Sequence, residues 1–214
     1  MVNIKKISLI AMATMAIVSF GNLSGFNIAG ISIVIGVVFF FINKALEKNS
    51  SDFNGLELKK IGKSLKDKTI LMWLALPLFM NVVSIFLATL ILPDFIEHLY
   101  GRTDLVASFD KIILLIFQLA ILAIGEEIAW RAFFQNQLNK HLPIVPTIIV
   151  TSIIFAFGHI TNGNIDIIVY DIFFIFINSV LYGVIFYKTN NAWISAISHY
   201  IANLFAVFVI PFML

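Results

Sequence analysis

The chain lacks cysteine altogether and has few charged residues. With no cysteine in 214 residues, disulfide bonds, zinc–thiolate sites and a cysteine nucleophile are excluded. Charged residues make up only 12% of the chain, whereas a typical soluble domain has about 25%. The net charge of +2 is too small to indicate nucleic-acid binding, and the basic residues do not form a binding face. We therefore expect no nucleic-acid partner.

Hydrophobic residues are correspondingly abundant in the sequence. They make up 60% of the chain, and the mean hydropathy is +1.00. Seven apolar runs approach the length of about 17–25 helical residues that crosses a bilayer. We therefore predict an all-α fold, a polytopic membrane helical bundle surrounded by lipid, with spans at 4–20, 26–42, 70–92, 112–138, 144–160, 165–187 and 192–214.

The lysines orient these spans. Most of them precede the first run, lie in the segment 43–69 or recur at Lys140 and Lys188, all in alternate loops, whereas Lys111 lies in an opposite loop that also carries acidic residues. Short loops rich in Lys and Arg stay in the cytoplasm. No cleavage site for a signal peptide follows the first run. The composition, rich in Ile, Phe, Asn and Lys, indicates a bacterial genome, so we predict a multi-pass protein of a bacterial cell membrane with a cytoplasmic N-terminus.

The segment 43–69 is the one extended polar stretch of the sequence. Residues 49–52 give a turn signal, and the apolar residues from Leu56 to Leu65 have the spacing of a basic amphipathic helix. This pattern is typical of a solvated cytoplasmic loop. The alternative is a helix that lies on the membrane surface and binds anionic lipid.

Two adjacent glutamates and an arginine lie inside the fourth apolar run, in the stretch Gly125-Glu126-Glu127-Ile128-Ala129-Trp130-Arg131. An ionisable group at this depth costs at least about 2.5–3.5 kcal/mol and indicates a functional site with a partner. Residues four apart share a helix face, so Glu127 is placed to pair with Arg131. Glu126 points about 100° away and is left free to act as a general base or acid. The alternative is that both glutamates only bind Arg131 in a packing network.

Two further spans carry polar groups of the same kind. The fifth run ends in Phe155-Ala156-Phe157-Gly158-His159, and the last contains His199-Tyr200-Ile201-Ala202-Asn203. His199 and Asn203 share a helix face and can donate hydrogen bonds toward one point. Each group alone is typical of helix packing, but together they favour convergence on one cavity.

Weaker candidates lie elsewhere in the sequence. Asp171 and Asn178 are seven apart on one face of the sixth span and are placed to line the same cavity, although Asp171 more commonly serves packing. His98 and His141 are predicted to lie in loops and receive no role.

The three motifs, in this order, resemble those of the CAAX protease and bacteriocin-processing family, also called CPBP or Abi, which includes the type II CAAX prenyl endopeptidases. The family pattern is EExxxR, FxxxH and HxxxN on successive core helices, and this chain carries all three. One departure is Ala132, where a glycine often follows the arginine. The resemblance divides the one membrane domain into N-terminal spans at 1–109, with the basic loop 43–69, and a CPBP-like catalytic core at 110–214.

The resemblance implies an intramembrane endopeptidase. Glu126 with His159 would activate water, His199 with Asn203 would hold the oxyanion, and Glu127 with Arg131 would support them. The family has also been described as metalloproteases, in which case Glu126, His159 and His199 would bind zinc. The HExxH signature of zinc proteases is absent, which favours metal-independent catalysis with no required cofactor.

The expected partner is a membrane-associated peptide or protein, such as an exported peptide, pheromone or bacteriocin precursor. Two other functions remain open from the sequence. One is self-immunity to a bacteriocin, or regulation, by binding rather than catalysis. The other is a small transporter, which the lack of an inverted repeat disfavours.

Overall fold

The computed structural model describes residues 6–21, 29–46, 55–104 and 112–209. Predicted span residues at 4–5, 26–28 and 210–214 lie outside these ranges, as does the turn predicted at 49–52. Within them the chain is helical, and its helices are α1 Lys6–Gly21, α2 Ala29–Leu46, α3 Leu58–Ser64, α4 Lys68–Ile91, α5 Asp94–Asp104, α6 Ile112–Leu138, α7 Ile144–Phe157, α8 Ile165–Thr189 and α9 Ala192–Val209.

Each of the seven predicted apolar runs is a helix, which confirms the all-α membrane bundle. Helices α4, α6, α8 and α9 have the length and hydropathy to cross a bilayer, and the apolar parts of α1, α2 and α7 are shorter. The number of crossings stays a prediction. The predicted basic helix near 56–65 is α3.

The α5 helix corrects one prediction. We expected His98 to lie in a loop, but it lies in α5, one face of which is buried through Phe95 and Ile96. Asp94 and Glu97 in its first turn complement the positive end of the helix dipole. This explains why a stretch with both charged and apolar residues forms a helix rather than a solvated loop.

The lysine-rich segment and α5 pack at opposite ends of α8. At one end, the Asn191 amide donates to the carbonyl of Glu57 at 2.8 Å, next to a backbone bridge between Gly55 and Asn191. At the other end, the Phe95 ring of α5 lies 4.8 Å from that of Tyr170. The 25 residues of α8 separate the two ends by about 37 Å, at 1.5 Å per residue.

Helices α1 and α2 share a hydrophobic core with α6. Met15 and Phe40 belong to the same buried cluster as Trp130 and Phe133. Gly36 makes the closest approach, because a Cβ on it would lie 2.5 Å from the Cβ of Ala129. The N-terminal helices therefore support the part of α6 that follows the two glutamates.

Replacing Gly36 with Ala is expected to destabilise the fold by about 1–3 kcal/mol, because the added methyl group overpacks the contact of α2 with α6. Unfolding of the detergent-solubilised protein measures this. The matched control is Gly30→Ala in the same helix, where a Cβ meets nothing within 4 Å. Equal stability of the two variants would contradict the packing described here.

Candidate active site

The α6 helix changes its winding directly after the paired glutamates. Residues Ile128–Gln135 form a π-helical segment, and all eight are buried. Such segments are frequent at functional sites. Two residues of this segment bond to α8. Arg131 donates a hydrogen bond to Ser179, and the Gln135 amide donates to the carbonyl of Gly183 at 3.0 Å. Nothing in the sequence predicts this change of winding.

The predicted pair of Glu127 and Arg131 is present and fully buried. The guanidinium Nη1 lies 3.1 Å from Glu127 Oε1, and neither side chain is exposed. Arg131 Nη2 also donates to the Ser179 hydroxyl at 2.8 Å and to the Ser179 carbonyl at 3.1 Å. The Arg131 guanidinium lies 4.7 Å from the centre of the Phe155 ring. A charge this deep is tolerated only with such compensation.

His199 lies between the two glutamates. Its Nδ1 is 3.0 Å from Glu127 Oε1, and its Nε2 is 3.5 Å from Glu126 Oε2. A carboxylate only accepts hydrogen bonds, so Nδ1–H donates to Glu127 and fixes the ring. Tyr182 stacks on the other side of His199, with ring centres 4.4 Å apart and planes inclined by 17°. The Glu127 carboxylate therefore has two roles: it neutralises the charge of Arg131, and it orients His199.

His159 lies just past the end of α7, beside Phe155. Its Nδ1 is 2.9 Å from the Phe155 carbonyl, and the two rings are 4.6 Å apart. Because a carbonyl can only accept, Nδ1 carries a proton. The FxxxH motif thus sets the tautomer of its own histidine.

A cavity of 380 Å³ brings the predicted residues together. Glu126, His159, His199 and Asn203 all line it, although they come from two different helices and a loop. Glu126 is 16% exposed there, whereas Glu127 is fully buried. The wall also includes Asp171 and Asn178, as their spacing predicted.

The residues do not fit the zinc-binding alternative. In residues 6–21, 29–46, 55–104 and 112–209, no group of three His, Cys, Asp or Glu side chains is arranged to hold a metal ion. Both ring nitrogens of His199 lie toward carboxylates instead. Glu126, His159 and His199 therefore share a cavity without forming a ligand set.

The family comparison covers this same part of the chain. Residues 107–205 match the family model of type II CAAX prenyl endopeptidase Rce1-like proteins. This segment of the chain is similar to those proteins and covers just under half of its length. The matched segment contains all three motifs and every predicted site residue, and the similarity supports a CAAX-type peptidase in general. No curated protein and no solved structure matches the chain.

Sequence reasoning missed several residues around the site. Within the matched segment these are Ser179, which accepts a hydrogen bond from Arg131, and Tyr182, which stacks on His199. Outside it, Asn81 of α4 lines the cavity and accepts a hydrogen bond from the Asn178 amide at 2.7 Å. Each is a polar group in an otherwise apolar helix, and this is the sequence signal by which each could have been predicted to belong to the site.

Proposed function

We propose that the protein is an intramembrane endopeptidase that hydrolyses a peptide bond in a membrane-associated peptide or protein. The observation that carries this proposal is the position of His199, held by the buried Glu127–Arg131 pair while facing Glu126 in the cavity. The cavity thus presents a carboxylate base and oriented hydrogen-bond donors to one small volume.

Glu126 serves as the general base in this mechanism. It is the one of the two glutamates that lines the cavity, and it has no arginine bound to it. A water molecule gives its proton to Glu126 while its oxygen attacks the carbonyl carbon of the scissile bond. Nε2 of His159, in the same cavity, helps to orient that water.

His199 and Asn203 stabilise the oxyanion that this attack produces. Because Nδ1–H of His199 is committed to Glu127, Nε2 can donate only when the ring is an imidazolium. The cluster of this imidazolium with the carboxylates of Glu126 and Glu127 and the guanidinium of Arg131 then has no net charge. The Nε2–H of His199 and the amide of Asn203 then donate to the oxyanion.

Collapse of the tetrahedral intermediate completes the reaction. Glu126 returns its proton to the amide nitrogen, the C–N bond breaks, and the products are a carboxylic acid, which keeps the second proton of the water, and an amine. One C–O bond forms for each C–N bond broken, and the site regains its starting protonation state.

Replacing Asn203 with Ala is expected to lower kcat by about 10²–10³-fold with little change in KM, because the lost donor acts on the oxyanion rather than on the bound peptide. Steady-state kinetics on a cleaved peptide measure the two parameters separately. A rise in KM at unchanged kcat would assign Asn203 to substrate binding instead.

The mechanism requires no metal, so chelators should not affect it. We expect 1,10-phenanthroline and EDTA to leave the cleavage rate of the purified protein unchanged. Inhibition that added zinc reverses would contradict this mechanism and favour a zinc site formed by Glu126, His159 and His199.

The proposal is tested in cells before any substrate is known. Membrane-associated peptides are compared by mass spectrometry between cells with the wild type and cells with Glu126→Gln, at equal protein levels. We expect at least one peptide that is processed with the wild type and accumulates as a precursor with the variant. Identical profiles, together with an unchanged cellular phenotype, would favour binding or self-immunity over catalysis.

A further inference from the structure

The cavity extends from the catalytic residues in one direction only along α8. Its lining on this helix is a row of residues that ends at Tyr182, next to His199, and includes none of the residues between Tyr182 and the C-terminal end of the helix. The row begins at Asp171, which lies 3.6 Å from His98 of α5. Phe95 and Leu99 of α5 form the wall at that end. The cavity thus lies between the catalytic residues and α5.

The opposite direction is closed by packed side chains. Beyond Tyr182, Ile185 and Ile194 are completely buried and form one cluster with Ile70, at the start of α4. The Gln135 side chain fills the space beside Gly183, where its Oε1 would be 2.9 Å from an added Cβ. A substrate therefore has no path to His199 from this end of α8.

The closed end is the lysine-rich end. Lys68 begins α4, and Lys188 lies in the last turn of α8, 5.3 Å from the centre of the Trp73 ring. Helix α3, with Lys59 and Lys63 exposed, packs at the same end through Ile61. By contrast, Asp94 and Glu97 are the charged residues of the first turn of α5. The lysines favour the cytoplasm, which places α5 at the other surface of the membrane.

We propose that this cavity receives its substrate from the non-cytoplasmic half of the bilayer, past α5. This inference rests on the peptidase activity proposed above and deepens it by naming the substrate class. The substrate would be an exported or membrane-inserted peptide whose scissile bond reaches the middle of the membrane from the non-cytoplasmic side.

The length and lining of the cavity also indicate which kind of peptide segment fits it. The distance along α8 from Asp171 to Tyr182 is about 16 Å, which holds about five residues of extended chain. The walls there are mostly apolar, with Leu115, Leu119 and Phe174 among them, and the amides of Asn81 and Asn178 supply polar contacts. We therefore infer an apolar segment of about five residues on one side of the scissile bond, unwound so that its backbone can bond to these amides.

The absence of cysteine makes this directly testable. Single cysteines are introduced at Asn178, inside the cavity, and at Leu99, in its α5 wall, with Lys63→Cys on exposed α3 as the control. Intact and permeabilised cells are treated with a small, membrane-impermeant methanethiosulfonate. We expect Asn178→Cys and Leu99→Cys to be labelled to the same extent in both, and Lys63→Cys only after permeabilisation.

Labelling of Asn178→Cys only after permeabilisation would overturn the inference, because the cavity would then open to the cytoplasm. Failure to label it in either condition would overturn it as well, because no aqueous path would reach the cavity. Repeating the labelling in the Glu126→Gln background separates the two proposals, since access does not depend on catalysis. A protein that labels as expected but cleaves no peptide would refute the peptidase and leave the access path standing.

Discussion

Replacing Arg131 with Met is expected to destabilise the fold by about 3–5 kcal/mol, because it leaves the charge of Glu127 buried without its cation. Both side chains are completely buried, so water cannot compensate the loss. The substitution also removes the donor to Ser179. Unfolding in detergent, followed by tryptophan fluorescence, measures the change.

A double variant shows whether Arg131→Met destabilises the fold through the unpaired charge of Glu127 or through the loss of packing around Arg131. Met keeps most of the volume of Arg131, so adding Glu127→Gln to Arg131→Met should restore much of the stability by removing the unpaired charge. The double variant should nevertheless remain inactive, since His199 loses the carboxylate that orients it. The account would be wrong if Arg131→Met alone were as stable as the wild type, or if the double variant gained nothing over it.

Replacing Glu126 with Gln is expected to lower kcat by about 10²–10⁴-fold, the range that a general base typically contributes. Gln keeps the size of the side chain but cannot accept the proton of the attacking water. Because Glu126 does not pair with Arg131, the stability should change little. Single-turnover cleavage and unfolding measured on the same preparation distinguish the two effects.

The matched control is Glu97→Gln, which makes the same chemical change on the exposed face of α5. It should leave kcat unchanged. A loss of activity in Glu126→Gln that was accompanied by an equal loss of folded protein would indicate a structural glutamate rather than a base.

The bundle was predictable because it depends on local composition. An apolar run of sufficient length has to form a helix in lipid, where no other backbone conformation satisfies its polar groups. Helix α5 was not predicted, although Phe95, Ile96 and Leu99 have the spacing of one helix face and acidic residues lie in its first turn. The signal of a short amphipathic helix was therefore present in the sequence.

The site was predictable where it depends on spacing within one helix. The pairing of Glu127 with Arg131 follows from their separation of four residues. The contacts of His199 with both glutamates depend on how α9 packs against α6, and single-helix spacing does not encode that. The same holds for Tyr182 and Ser179, because their partners come from other helices.

The end of α8 toward which the cavity extends could not be predicted from the sequence alone, for a different reason. The lysines predict which end of each helix is cytoplasmic, but only packing shows that Ile185 and Ile194 fill that end of the bundle. The proposed access path therefore rests on the sequence and the structure together.

The central claim is that Glu126 activates water to hydrolyse a peptide bond, and one measurement tests it most directly. A precursor peptide identified in cells is incubated with the purified protein in H₂¹⁸O, and the products are analysed by mass spectrometry. We predict that the new carboxyl terminus gains one ¹⁸O with the wild type and that Glu126→Gln gives almost no product. Cleavage by Glu126→Gln at the wild-type rate, or a product without ¹⁸O, would contradict the account.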